Sequence, residues 1–145
     1  MSQPRVKPAR NERAKAWTIL IIDDTPDNLT VASVALEFHG AHVVTAASAD
    51  DGFAQLEQIS PTCILLDIRM PKVDGWAVFK TLRSTPATAH IPIVALTAYA
   101  MQGDREKIIQ AGFDGYIAKP IDILTFVDHL DKILQSRPQL KGDTP

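Results

Sequence analysis

Five short runs with strand character alternate with stretches of helical spacing, and this alternation limits the fold more than any other feature of the chain. The runs are Trp17–Ile22, Ala41–Ala46, Thr62–Leu66, Ile91–Leu96 and the shorter Asp114–Ala118. The first, third and fourth are apolar on nearly every residue, which suits parallel strands buried on both faces. Between them, apolar residues recur at helical spacing. Asp27–His39 carries Leu29, Ala32 and Leu36 and stops at Gly40. A second helix starts at Ser48 or Asp50, carries Phe53, Leu56 and Ile59, and ends before Pro61. Trp76, Phe79 and Leu82 mark a third. Met101–Ala111, closed by Gly112, is the fourth, and Asp122–Leu134 is the fifth, with Leu124, Val127, Leu130 and Leu134 on its stripe. Regular strand–helix alternation predicts an α/β fold, a parallel sheet with helices on both faces.

The length, 145 residues, fits one domain. With 46% hydrophobic and 22% charged residues, a packed core is feasible. A net charge of -2 gives no global reason to expect nucleic acid or membrane as a partner. The single cysteine, Cys63, falls in an apolar run and reads as a small buried hydrophobe. No stretch is long and apolar enough for a membrane span, and a cytoplasmic setting is expected. Residues 1–16 are polar and basic and read as a flexible tail, residues 17–135 as the folded domain, and residues 136–145 as a second flexible tail. A nucleic-acid-binding arm is the other reading of the basic tail, and its lack of interleaved aromatics counts against that. Neither tail has the composition of an output domain, so the expected output is a protein contact.

Ligands of such sheets bind beyond the carboxyl ends of the strands. The polar residues placed there are Asp23, Asp24, Asp67, Thr97 and Lys119. Each alone has an ordinary reading, a helix cap, a strand-end hydroxyl or a solvated lysine. Asp74, directly before a helical pattern, fits the cap reading better than Asp67 does. The set gains meaning because its members share one end of successive strands. Three clustered carboxylates repel one another, and a hard divalent cation such as Mg²⁺ removes that conflict with oxygen ligands. A lysine and a hydroxyl opposite them suit an anion. Together they describe phosphoryl transfer to an aspartate, with Asp67 attacking phosphorus.

Four ordered motifs carry a family resemblance: Ile21-Ile22-Asp23-Asp24, Leu65-Leu66-Asp67 through Asp74-Gly75, Val94-Ala-Leu-Thr97-Ala, and Gly115-Tyr116-Ile-Ala-Lys119-Pro120. From about Thr18 to Leu134 the chain resembles the receiver domain of two-component response regulators, the CheY-like family. The stretch after Thr97 most resembles receivers that work with hybrid kinases and phosphorelays. The resemblance implies a flavodoxin-like, doubly wound, five-stranded parallel sheet of order 2-1-3-4-5. It implies Asp67 as phosphoacceptor, and Mg²⁺ held by Asp23, Asp24, Asp67 and the backbone carbonyl of Arg69. Thr97 and Lys119 would bind the phosphoryl group, with a cis bond at Lys119-Pro120. The donor would be a histidine kinase or a histidine phosphotransfer protein. Thr97 and Tyr116 would form a switch acting on a downstream protein target through the surface of the fourth helix, fifth strand and fifth helix. Such a protein is a signalling module and not an enzyme, with neither nucleic acid nor membrane as partner.

Tyr116 has a plain core reading beside the switch reading, and Tyr99 competes for the same space. Arg69 and Tyr99 hold positions that flank the phosphoryl group in the resembled fold, which implies slow phosphate loss. Two other classes remain. A phosphatase of the haloacid dehalogenase type also uses an aspartate, Mg²⁺, threonine and lysine, but its first strand ends Asp-x-Asp, and here Asp23-Asp24 are contiguous. A docking module that works without phosphorylation is the second, and the complete acidic set argues against it.

Overall fold

The computed structural model describes residues 11–70, 73–98 and 102–136. The expectations placed on residues 1–10, on 137–145 and on Tyr99 lie outside these residues.

Strands β1 (Thr18–Ile22), β2 (His42–Ala46), β3 (Cys63–Asp67), β6 (Ile93–Thr97) and β7 (Gly115–Ala118) form one parallel sheet in the order β2-β1-β3-β6-β7. The short β4 (Arg69–Met70) and β5 (Val73–Asp74) pair antiparallel in a separate hairpin. Counted among sheet strands alone, the order is 2-1-3-4-5. The hairpin occupies what sequence reads as a plain loop. Its two-residue strands are too short to show a periodicity.

Side chains alternate across the sheet and sort into two cores. Ile19, Ile21, Cys63, Leu65, Val94 and Leu96 face one side, where they meet α1 (Pro26–Phe38) and α5 (Phe126–Gln135). Leu20, Ile22, Ile64, Leu66, Ile93 and Ala95 face the other, under α2 (Ala49–Leu56), α3 (Gly75–Ser84) and α4 (Gln102–Ala111). All five residues of β3 and of β6 are buried, so the continuous apolar runs mark central strands. β2 is an edge strand, and His42 and Thr45 on it are exposed.

Local signals fix the helix ends. Pro26 opens α1, Ser48 caps α2 by accepting from the Asp51 amide at 3.1 Å, and Asp74 caps α3 by accepting from the Trp76 amide at 3.0 Å. Gly40 (φ 94) and Gly112 (φ 108) follow α1 and α4 in the left-handed region that glycine tolerates.

Three expectations change. The second helix ends at Leu56, so Ile59, read as part of it, lies beyond its end. The last helix starts at Phe126, not at Asp122, because the Asp122 carboxylate accepts from the Leu124 amide at 2.9 Å and holds a turn there. Leu124 is therefore 76% exposed rather than on the buried stripe, which Phe126, Val127, Leu130 and Leu134 form. The folded chain also begins earlier than Trp17. Glu12–Ala16 form a 3-10 helix capped by the Asn11 side chain, with Ala14 fully buried against the α1/α5 core. Arg13 ties it to α5 through Asp131, by Nε hydrogen bonds of 2.9 and 3.0 Å. The flexible-tail reading of 1–16 thus does not hold for Asn11–Ala16. The missed signal was Asn11 as a cap before Ala14, Ala16 and Trp17. Among the described residues, no helix is long and apolar enough to cross a membrane.

Candidate functional site

β1 and β3 run side by side in parallel, with Ile22 in register with Leu66. The next residue on each chain is an aspartate, so sheet geometry alone brings Asp23 and Asp67 together. Asp24 follows Asp23. One carboxylate oxygen from each of Asp23, Asp24 and Asp67 lies within 4.8 Å of the others. Asp23 is 0% and Asp67 2% exposed, and Asp24 is half-buried at the mouth.

Lys119 reaches them from the end of β7. Its Nζ stands 3.2 Å from Asp23 Oδ2 and 3.1 Å from Asp67 Oδ2. The Lys119 amide donates to the Thr97 carbonyl at 2.8 Å, which fixes the start of the Lys119–Pro120 segment against β6. The Lys119–Pro120 bond is cis, as expected. Thr97 is fully buried at the end of β6, one residue beyond Leu96, the register partner of Asp67.

The remaining carboxylate oxygens are held by local donors. Asp23 Oδ1 accepts from the Thr25 amide at 2.9 Å, and Asp23 Oδ2 from Asn28 Nδ2 at 3.1 Å. Asp67 Oδ1 accepts from the Arg69 amide at 2.9 Å. Asn28 was not singled out from sequence. The signal is that it lies five residues after Asp23, in the first turn of α1. Burial pushes the Asp23 carboxyl above its ordinary value; the Thr25 amide works against this, the Asp67 carboxylate adds to it, and Lys119 opposes it.

Gly75 supports Asp67 from behind. A Cβ there would run into Ile68 Cα and come within 2.9 Å of the Asp67 carbonyl oxygen. The absence of a side chain therefore lets the start of α3 pack directly under the end of β3. Arg69 is exposed on β4 at the rim. Tyr116 is half-buried on β7, packed toward the α2/α3/α4 core, with the Arg105 guanidinium 5.9 Å from its ring centroid.

The donor set fits a hard divalent cation. It offers clustered carboxylate oxygens, one of them on a group that burial makes reluctant to ionise, and, among the described residues, a single ammonium as counter-charge. A cation there would add the positive charge that three acids and one lysine leave wanting. The pairing of Lys119 with Asp23 and Asp67 also sets an ammonium directly beside the carboxylates.

The family model for the response regulator receiver domain matches residues 19–131. The chain is 32% identical over 117 residues to the polar-differentiation response regulator DivK of Brucella ovis, covering 81% of this chain and 95% of DivK. It is 34% identical over 120 residues to the signal transduction histidine-protein kinase BarA of Escherichia coli, covering 83% of this chain but only 13% of BarA. Among solved structures, it superposes on the receiver domain of the sensor histidine kinase PA1611 of Pseudomonas aeruginosa, whose active-site cleft holds a magnesium ion. There the TM-score is 0.72 at 34% identity, with 83% of this chain and 98% of the other covered.

Proposed function

The chain belongs to the response regulator receiver domain family, and on that premise we propose that Asp67 is its phosphoacceptor. Receiver domains are signalling modules that take a phosphoryl group and pass the change to a partner, not classical enzymes. The observation that carries the residue assignment is the pairing of Asp67 Oδ2 with Lys119 Nζ at 3.1 Å, beside a three-carboxylate group.

In this reading a histidine kinase or a histidine phosphotransfer protein presents its phosphoimidazole at the strand ends. An Asp67 carboxylate oxygen forms the new P–O bond while the P–N bond breaks, and the imidazole nitrogen keeps the electron pair. Asp23, Asp24, Asp67 and the Arg69 backbone carbonyl would hold Mg²⁺, which supplies positive charge against the phosphoryl oxygens. Lys119 leaves its carboxylate partners for the transferred group, a charge-assisted contact. The Arg69 amide, bonded to Asp67 Oδ1, orients the nucleophile. Thr97 approaches the phosphoryl group from the end of β6, and Tyr116 follows on β7. That would couple the site to the α4–β7–α5 face, where a downstream protein binds. We place the protein in the cytoplasm, its receiver unit at residues 17–135 with Asn11–Ala16 folded against it, and its partners among proteins rather than nucleic acid or membrane.

Mass spectrometry after treatment with a small acyl phosphate and Mg²⁺ tests the assignment. One phosphoryl adduct is expected on Asp67 and none in Asp67→Asn. An adduct on another residue in the wild type refutes it. A downstream partner that binds Asp67→Asn and the phosphorylated protein equally would instead favour docking without phosphorylation.

A further inference from the structure

Asn11 joins the two walls of an apolar cavity. Its backbone N–H donates to His39 Nδ1 at 2.6 Å, on the residue after α1. Its side-chain amide donates to Asp128 Oδ1 at 3.0 Å and to Asp131 Oδ2 at 3.2 Å, both on α5. His39 and Asp128 themselves line the cavity, which measures about 370 Å³ and is otherwise walled by side chains such as Phe38, Ile123 and Leu124. The receiver-family match begins at residue 19. Asn11–Ala16 therefore lie before the matched stretch.

We propose that Asn11–Ala16 is a pH-gated clasp across α1 and α5, closed while His39 Nδ1 is unprotonated and open at its Asn11 end once that nitrogen takes a proton. The bond requires a lone pair on Nδ1, so the imidazole is neutral with its proton on Nε2. Imidazolium carries two N–H donors and no acceptor. One proton taken from solvent thus turns the acceptor into a donor facing the Asn11 N–H, and the bond is lost.

The second fastening does not titrate in the same range. Hydrogen bonding from Arg13 holds the Asp131 carboxyl below its ordinary value, so the Arg13–Asp131 pair stays charged while imidazoles titrate. It serves as the hinge about which the Asn11 end moves. The ionisable groups on the elements that meet here are of both signs: Asp128, His129, Asp131 and Lys132 on α5, Glu12, Arg13 and Lys15 on the 3-10 helix, and Glu37 on the last turn of α1. Opening removes the Asn11 bridge between His39 and Asp128 and frees that rim of the cavity.

Amide hydrogen exchange followed by NMR tests the clasp, with each rate corrected for its intrinsic pH dependence. For a one-proton latch, protection of the Asn11 amide falls about tenfold per pH unit on the acid side of the His39 titration. That titration is read in the same samples from the imidazole ¹⁵N shifts. The Ile64 amide, bonded to the Pro92 carbonyl at 2.9 Å inside the sheet, keeps its protection throughout. In His39→Gln the side-chain carbonyl can accept without titrating, so Asn11 protection is expected to be independent of pH. Wild-type protection that stays flat through the His39 titration overturns the proposal. So does a His39→Gln variant that loses protection over the same pH range as the wild type.

Discussion

Replacing Lys119 by methionine keeps most of the side-chain stem and removes the only cation found within 3.2 Å of both Asp23 and Asp67 among the described residues. The two carboxylates are 0% and 2% exposed, so water replaces the ammonium poorly. Removing one partner of a buried ion pair costs about 3–5 kcal/mol. The site is open on one side, with Lys119 itself 14% exposed and Asp24 half-buried, which favours the lower end, about 3 kcal/mol. With urea slopes of about 1–3 kcal/mol/M, the unfolding midpoint falls by roughly 1–3 M in EDTA at pH 7.

The sign of the pH dependence follows from Asp23. Its folded-state pKa lies above the unfolded value, so the folded state holds the proton more tightly in the window above the ordinary carboxylate range. Stability falls as pH rises through that window. Loss of Lys119 removes one of the influences that oppose the shift, so the fall is steeper in the variant and its deficit shrinks toward pH 5. Mg²⁺ at about 100 times its dissociation constant adds about 2.7 kcal/mol and recovers most of the loss. Urea melts monitored by circular dichroism measure all three. A midpoint unchanged at pH 7 in EDTA, or a deficit equal at both pH values and insensitive to Mg²⁺, refutes the reasoning.

In Asp23→Asn the desolvated, repelled carboxylate is gone while the Thr25 amide keeps an oxygen acceptor, so the metal-free protein is expected to melt higher and to lose its Mg²⁺-dependent gain, both visible by calorimetry. Gly75→Ala forces a Cβ against Ile68 and the Asp67 carbonyl, and about 1–3 kcal/mol of overpacking is expected in urea melts, together with slower labelling by acyl phosphate. Asp131→Asn should destabilise at pH 7 and converge on the wild type in acid, because the depressed Asp131 pKa gives stability that is present above the unfolded value and lost as pH falls through the folded one. If Arg69 at the rim excludes attacking water, Arg69→Asn should lose phosphate faster than the wild type in a radiolabel chase, and an equal rate rejects that role.

The periodicities carried most of the fold. Runs apolar on every residue, Ile19–Ile22, Cys63–Leu66 and Ile93–Leu96, can be satisfied only with both faces covered, and this dictated a parallel sheet flanked by helices. Helix ends at Ser48, Asp74, Gly40 and Gly112 were legible because capping and left-handed backbone are local chemistry. The gathering of Asp23, Asp24, Asp67 and Lys119 was legible too, since every strand of a parallel sheet delivers its last residue to the same edge. Contacts between distant segments were not. The strand order and register set the Asp23–Asp67–Lys119 distances, and those depend on which strands pair. The Asn28 bond to Asp23 depends on how α1 leaves the sheet. Leu124 matched the stripe spacing but fell in a turn, because the Asp122 side chain competed for the backbone. The Asn11–Ala16 clasp has no periodicity, and a five-residue helix has almost no stability of its own. It forms because Asp131 and His39, 118 and 28 residues away from their Arg13 and Asn11 partners, stand where folding has already placed them.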